Sequence, residues 1–385
     1  MQNNQSVLYV NFAQYDNAGR ILDYLVTNFT IVAHFSFDHL RLKSGRKTNF
    51  LKVYNHGKLI EEVTLRNIRL KPLLQFPTLP IVAFMMVYQT LFHAWRLSRH
   101  FGPFSYFFTV NAFSALIGIS TKLLGFSQKT VYWVWDFFPL TFPDWRIRLI
   151  RKIYWQWDKL ALRFSDHVVF TNKRLQTMIL KTRHVGHSQK YSIVPVGTRV
   201  YAARKIRPTQ KITVGFLGML KTNQGLDLII DSAPLLKQKF PGVRIDIIGS
   251  GPEEEFFLEK TKPYNDMIRF YGFIKNDDDV MRIVRRWAIG LAPYVLGASN
   301  ESYWGDPSKI KTYLGAGIPV ITTNVSYFTS EIIQNRAGIV IPYTTNDLVL
   351  AVRTILKDTS GYAFRAHALG KAYAYEKLYP NLFLF

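Results

Sequence analysis

The sequence predicts an α/β protein built of two doubly wound domains that face a cleft, and three observations carry that expectation. At 385 residues the chain is too long for one compact core and suits two domains of ordinary size. Short β-branched or aromatic runs alternate with amphipathic stretches along the whole length, as parallel sheets layered with helices require. Between two such series lies "GTRVYAARKIRPTQ" (197–210), polar and closed by a proline region before a fresh strand, which places the domain boundary at 205/206.

In the first domain, residues 1–205, the strands are "SVLYVNF", "FTIVAHFSF", "FSYFFTVN", "TVYWVWD" and "HVVFTN", with "NFLKVYNHGKLIEEVTL" as a hairpin. Helices such as "AFSALIGISTKLLG" fall between them. The second domain, residues 206–365, repeats the pattern: strand "KITVGFLG", helix "GLDLIIDSAPLLKQKF", strand "VRIDIIG", helix "PEEEFFLEKTK", strand "IRFYGF", helix "NDDDVMRIVRRW" and strand "IGLAPY". The helix start "DPSKIKTYLGAG" comes next, then "IPVITT", "TSEIIQNR" and "AGIVIP". The tail reads as a helix, and residues 366–385 are expected to cross back to the first domain. Two such domains in tandem leave a cleft at the carboxyl ends of both sheets.

Hydrophobic content of 48% with 15% aromatics supplies two cores and excludes a disordered chain. The net charge of +23 is unevenly placed: residues 1–207 hold 29 of the 49 basic residues but only 9 of the 26 acidic ones. Such a half seeks an anionic partner, whether nucleic acid, an anionic membrane surface or a phosphate-bearing substrate, unless the charge serves solubility alone. No recognisable RNA- or DNA-binding motif accompanies it, so no nucleic acid is expected. With no cysteine, a disulfide framework and a thiolate metal site are both excluded, which fits a reducing compartment. "MQNNQSVLYVNF" lacks the basic start and long apolar run of a signal peptide. The stretch 79–95, broken by Gln89, Thr90 and His93, reads as a buried or interfacial helix rather than a spanning one.

Three loops carry the candidate chemistry. In "DPSKIKTYLGAG", Asp306 fits an N-cap and Pro307 the first helical position, while Ser308 and Lys309 bring first-turn amides and a full positive charge. That start is either an anion site for a diphosphate or a well-capped structural helix. In "GFLGMLKTNQG", glycines at 215, 218 and 225 allow close approach of a bound group to the backbone. "IIGSGPEEEFF" looks like a phosphate loop, but Glu253, Glu254 and Glu255 at its helix start repel a phosphate, so it reads as structural.

In this order the segments of the second half resemble the donor-binding half of a retaining glycosyltransferase of family 4, of the polysaccharide-building type. About 150 continuous residues carry the resemblance, including "VGFLG", "QGLDLII", "RIDIIGSGPE", "IRFYGFI" and "DPSKIKTYLGAGIPVITT" with Glu331 after it. "TVYWVWDFFP" and "DKLALRFSDHVVFTN" in the first half look more loosely like the acceptor domain of the same enzymes. The resemblance implies the GT-B architecture, two Rossmann-like domains, and sugar transfer from a nucleotide diphosphate with retention at the anomeric carbon. It implies a nucleotide-sugar co-substrate with no other cofactor and no metal.

On the matching positions it implies donor binding by Gly218, Lys221, Gln224, Gly225, Gly272, Phe273, Trp304, Gly305, Ser308 and Thr312. Lys309 and Asp306 belong to the catalytic set. The family commonly has two glutamates eight positions apart where this chain has Trp304 and Thr312, so Thr312 is left to bond the ribose as a neutral partner, and Asp306 or Glu301 to supply an acid near the sugar. The Arg and Lys usual in the first loop align with Met219 and Gln224, with Lys221 close by. In the first domain Asp136 ends a strand at the expected cleft edge, where it either orients or deprotonates an acceptor hydroxyl or simply caps the next segment of chain. Asn17 and Gly19, after the first strand, are expected on the acceptor side.

The stretch 145–164 places Leu149, Ile150, Ile153, Trp157, Leu160 and Phe164 on one helical face, with arginines and lysines around the remainder. The apolar face is expected to cover the sheet, and the charges to point toward an anionic leaflet. The acceptor expected from these properties is a lipid-linked or polysaccharide glycan, met by a cytoplasmic protein held peripherally on the inner face of the cell membrane. The competing readings are a catalytically silent relative serving as a binding scaffold and a nucleic-acid-binding protein.

Overall fold

The computed structural model describes residues 3–12, 17–37, 49–66, 72–203, 212–297 and 300–385. The chain divides into two units, Met1–Pro195 with Tyr379–Phe385, and Val196–Leu378. The expected boundary at 205/206 lies outside the described residues, and the division falls at 195/196 instead. Polar composition misplaced it: the backbone of 196–201 is satisfied by the second unit, with Thr198 N donating to Tyr373 O (2.9 Å) and Tyr201 N to Gly315 O (2.9 Å).

The first unit runs β1 (Asn3–Asn11), α1 (Ile21–Asn28), β2 (Phe29–Ser36), β3 (Phe50–Asn55), β4 (Lys58–Thr64), α2 (Pro72–Phe101), β5 (Phe104–Thr109), α3 (Ala112–Leu123), β6 (Ser127–Val134), α4 (Trp145–Phe164), β7 (His167–Phe170), α5 (Lys173–Arg183) and β8 (Tyr191–Ile193). Its eight-stranded sheet has the order β4-β3-β2-β1-β5-β6-β7-β8. The strands pair in parallel except at β2–β3–β4, where the expected hairpin turns on His56 and Gly57, both at positive φ (46° and 78°) as a tight two-residue turn requires. Leu8, Val10, Ile31, Phe35 and Phe107 of the sheet bury against Met86, Ala94 and Leu97 of α2 and Ile117 of α3. Helices α2 and α3 therefore share one face of the sheet, and α4 packs beside α3 through Phe113 and Trp157, whose ring centroids are 4.9 Å apart.

Helix α4 is turned away from the expected orientation. It buries Asp158, Ala161 and Leu162 and leaves Leu149, Ile150, Ile153, Leu160 and Phe164 exposed. A buried polar network sets this rotation. Arg183 Nε donates to Asp158 Oδ2 (2.8 Å), Tyr132 OH to Asp158 Oδ1 (2.9 Å), and the Arg183 guanidinium lies over the Trp155 ring at 3.9 Å. Burial raises the Asp158 pKa, while Arg183 opposes the shift. Removing one partner of so dry a pair costs more than a few exposed leucines gain, so the pair fixes which side faces inward.

The second unit runs β9 (Thr213–Leu217), α6 (Leu226–Asp231), α7 (Ala233–Lys239), β10 (Arg244–Ile248), α8 (Glu254–Thr261), β11 (Ile268–Phe270), α9 (Asp277–Val284), β12 (Ile289–Ala292), α10 (Ser308–Gly315), β13 (Val320–Thr323), α11 (Thr329–Gln334), β14 (Gly338–Ile341), α12 (Thr345–Lys357), α13 (Thr359–Ala372) and α14 (Tyr375–Leu378). Its six strands are all parallel, in the order β11-β10-β9-β12-β13-β14. The order reverses between β9 and β12, the switch point where open α/β sheets bind ligands beyond their strand ends. The single helix expected over 225–240 is two, divided at Ser232, with Pro234 opening the second.

The return to the first unit is shorter than expected. Helix α13 stays in the second unit against α10, and only Tyr379–Phe385 belongs to the first. There Phe383 sits among the rings of Tyr24, Phe29, Tyr106 and Phe108, and Tyr379 OH donates to Gly19 O (2.5 Å).

Candidate functional site

Within the second unit, the loops after β9, β10, β11 and β12 all leave carboxyl ends of parallel strands, and the first and last of them meet at Lys309. Gly218 ends β9 at φ 152°, its N–H donating to Ile248 O (2.9 Å), and a Cβ there would lie 2.8 Å from Lys309 Nζ. Gly225 starts α6 at φ 78°, where a Cβ would stand 1.7 Å from Pro293 O. Both positions therefore need glycine, one for its backbone angle beside a cation and the other for close approach of two loops. Gly215 is different: it lies inside β9 and its vacant side is filled by the Trp287 ring, 2.0 Å from where a Cβ would be, so it serves packing rather than ligand approach.

Lys309 stands in the first turn of α10. Its Nζ donates to Gln224 Oε1 (2.8 Å) and lies over the rings of Phe216 (4.3 Å) and Tyr294 (5.1 Å). Among the described residues no carboxylate pairs with it, and burial pushes its ammonium down to about 7. A largely buried cation whose neighbours are a neutral amide and two aromatic faces is under-compensated, and an anion arriving beside it would restore the charge. Among the described residues no side chain caps α10; Ser308 N donates to Asp306 O (2.8 Å), and the next first-turn amides, of Lys309 and Ile310, offer the same anion a second set of donors.

Asp306 does not play the part expected of it. Its carboxylate receives Lys311 Nζ at 2.5 and 2.6 Å, Val196 N at 2.6 Å and Tyr327 OH at 3.1 Å, with only 1% of the side chain exposed. Both oxygens are engaged, so it neither caps α10 nor reaches a sugar. Lys311 is fully buried and also donates to Val196 O (2.9 Å). The pair is a structural clasp that shapes the turn before α10, and five-residue spacing within one helix start gave no sequence signal for it.

The remaining donor candidates occupy these loops. Lys221 approaches Glu301 at 3.5 Å in an exposed pair, so its charge stays available to a ligand. Gln224 Nε2 reaches Ser302 Oγ at 3.4 Å. Gly272 (φ 65°) comes after β11 and accepts from Gly249 N (2.9 Å), and Phe273 beside it is exposed. Trp304 and Gly305 close a turn in which both N–H groups donate to Glu301 O (3.1 Å each), and Ser308 is exposed at the helix start. Thr312 sits one turn further, its hydroxyl donating to Ser308 O (3.0 Å). Glu253 accepts from Thr222 N (2.6 Å) and fastens the 218–225 loop.

Sequence reasoning missed Asn300. Its buried side chain donates to Asn223 O (2.7 Å) and Val295 O (2.9 Å) and accepts from Ser302 N (3.0 Å), tying three stretches of the site together. It also missed Tyr313, whose hydroxyl accepts from Leu217 N (2.8 Å) and donates to Leu291 O (3.2 Å), pinning α10 to β9 and β12.

In the first unit, Asp136 is exposed just beyond β6. Asn17 accepts from Leu22 N (3.0 Å) and Asp23 N (3.2 Å), so its side chain is occupied in starting α1. Gly19, at φ 63°, accepts the Tyr379 hydroxyl. Asn111 and Asn172 cap α3 and α5 in the same way after β5 and β7.

Comparison with known proteins agrees with this geometry. Residues 211–358 match the family model for glycosyl transferases group 1. The phosphatidyl-myo-inositol mannosyltransferase of Mycolicibacterium smegmatis is 27% identical over 164 residues, which are 41% of this chain and 40% of that protein. The chain thus matches about two fifths of that relative's length. Sucrose-phosphate synthase from Thermosynechococcus elongatus superposes with a TM-score of 0.67 at 14% identity, over 98% of this chain and 97% of the other. The Anabaena protein HepE in complex with UDP-glucose gives 0.62 at 14% identity, over 98% of each. Such likeness shows the fold, which is GT-B with two Rossmann-like domains, and the second unit carries a group 1 glycosyltransferase domain.

Proposed function

We propose that this chain is a retaining glycosyltransferase of family 4 that moves a sugar from a nucleotide diphosphate to a lipid-linked or cell-surface glycan. It works peripherally at the cytoplasmic face of the cell membrane. The observation that carries the reading is Lys309, a desolvated cation with no carboxylate partner among the described residues, set at an uncapped helix start beside Gly218. A diphosphate is the ligand whose charge and size suit that place.

In this reading the bond from the anomeric carbon to the diphosphate oxygen breaks, and a bond to the acceptor oxygen forms on the same face. The acceptor proton passes to the departing diphosphate. Lys309, Lys221 and the α10 amides stabilise the charge that develops there, which is where an enzyme of this type gains most. Thr312 takes a ribose hydroxyl, and Asp136 orients the acceptor. No step calls on a metal ion or a further cofactor. The relative from M. smegmatis, named for a phosphatidyl-inositol acceptor, and the basic first unit both support a lipid-linked acceptor.

A thermal-shift panel of UDP, GDP and ADP and their sugars tests the reading. One nucleotide is expected to stabilise the protein by about 2.7 kcal/mol at a hundred times its dissociation constant, and Lys309→Ala to lose that shift. No shift with any nucleotide at millimolar concentration would overturn it.

A further inference from the structure

The layer of α2, α3 and α4 leaves two apolar stripes uncovered. On α2, Ile81, Phe84, Tyr88, Phe92 and Trp95 take three- and four-residue steps along one face and are exposed, Phe84 by 71%. The opposite face, with Met86, Thr90, Ala94 and Leu97, is buried on the sheet. On α4, Trp145, Leu149, Ile153, Leu160 and Phe164 make a second exposed stripe, Phe164 by 62%. At 1.5 Å per residue the stripes run about 21 and about 28 Å, far beyond the scattered exposed leucines of an ordinary surface. Thr78–Phe101 is long and apolar enough to cross a membrane by length and composition. Its buried face is already in use by the sheet, so what it offers is a side rather than a span.

Charge selects the occupant. The three helices contain nine arginines and lysines and a single carboxylate, Asp158, which is buried and paired with Arg183. Arg99, Lys122, Arg148, Lys152 and Arg163 are exposed, and of these Lys122 is paired with Asp166. Apolar stripes edged by cations, on helices that present no exposed carboxylate, fit the acyl boundary and headgroups of an anionic bilayer.

We propose that this layer is the membrane-docking face of the protein, with the α2 and α4 stripes entering the acyl boundary of an anionic leaflet and the cations between them meeting lipid phosphates. The inference deepens the proposed function by naming the surface that meets the membrane, and it rests on that reading only for the acceptor's presence there.

The test is co-sedimentation of the full chain with vesicles of phosphatidylcholine alone and of phosphatidylcholine with phosphatidylglycerol. Binding is expected to the mixed vesicles. Phe84→Ser with Trp95→Ser, and separately Leu149→Ser with Phe164→Ser, should each weaken it at least tenfold without changing the circular dichroism spectrum. Lys152→Gln with Arg163→Gln should weaken it by about fivefold for each charge, and high salt should do the same. Equal binding by the stripe variants, binding that ignores lipid charge, or a concentration-dependent dimer that leaves vesicles unbound would overturn the proposal. The last would assign the stripes to a second copy of the chain. The nucleotide thermal shift, measured on the same samples, separates the two ideas: vesicle binding without a nucleotide response sinks the enzyme reading and leaves the docking face standing.

Discussion

If Lys309 receives a diphosphate, donor affinity must fall as pH rises through the ammonium's own titration. In the free protein burial holds that pKa at about 7, and among the described residues no charged group touches it; its partners there are Gln224, Phe216 and Tyr294. A bound diphosphate favours the charged form, so affinity tracks the protonated fraction, dropping about fivefold from pH 7 to 8 and about ninefold more from 8 to 9. Binding near pH 7 should take up about half a proton, which calorimetric titration in buffers of different ionisation enthalpy reads directly. The sign for folding runs the other way. The folded pKa lies below the unfolded value of 10.5, so the charged form is a cost present in full below about pH 7 and relieved as pH rises toward 10.5. A shift of that size at 1.36 kcal/mol per unit is on the order of 5 kcal/mol, and the partial exposure of Lys309 reduces it to a few. Lys309→Met should therefore stabilise the apoprotein by about 1–3 kcal/mol while abolishing nucleotide binding. Flat affinity between pH 6 and 9, or a destabilised variant that still binds, refutes the argument.

Asp306→Asn strips Lys311 of its counter-charge where the two side chains are 0% and 1% exposed, and urea denaturation should show a loss of about 3–5 kcal/mol. A loss under 1 kcal/mol would mean that the clasp carries little. Gly225→Ala drives a Cβ into Pro293 O at a positive φ, so it should cost at least about 2 kcal/mol and raise the KM for donor more than it lowers kcat. An unchanged melting temperature would sink that. Because charge neutralisation is assigned to Lys309, Lys221 and backbone amides, EDTA should leave sugar transfer unaltered; a strict requirement for magnesium or manganese would contradict the assignment.

Much of the fold was legible because parallel strands buried on both faces read as short apolar runs, and their bounds needed moving by only a few residues. The hairpin at His56–Gly57 was visible as two apolar runs around a glycine turn, whereas the helix-start composition at Lys309 left an anion site and a well-capped structural helix both open. Most of the failures involve polar groups whose partners the local sequence does not announce. Asp306 looked like a cap because its neighbours in sequence suited one, whereas its partners are Val196, Lys311 and Tyr327. The apolar face of α4 was expected inward, yet Asp158 is drawn to Arg183 and takes that side of the helix. Asn300 and Tyr313 are visible only once three loops are brought together. The three-residue β8 is too short to show a period at all.

The clasp around Asp306 also says where the second unit can be cut. Val196, the first residue of that unit, lends its N–H to the carboxylate and its C=O to Lys311. The stretch that matches the group 1 glycosyltransferase model starts at 211 and stops at 358. A fragment trimmed to it would leave the buried Asp306–Lys311 pair without the two hydrogen bonds of Val196 at the turn before α10, so an autonomous second unit has to begin at Val196 itself.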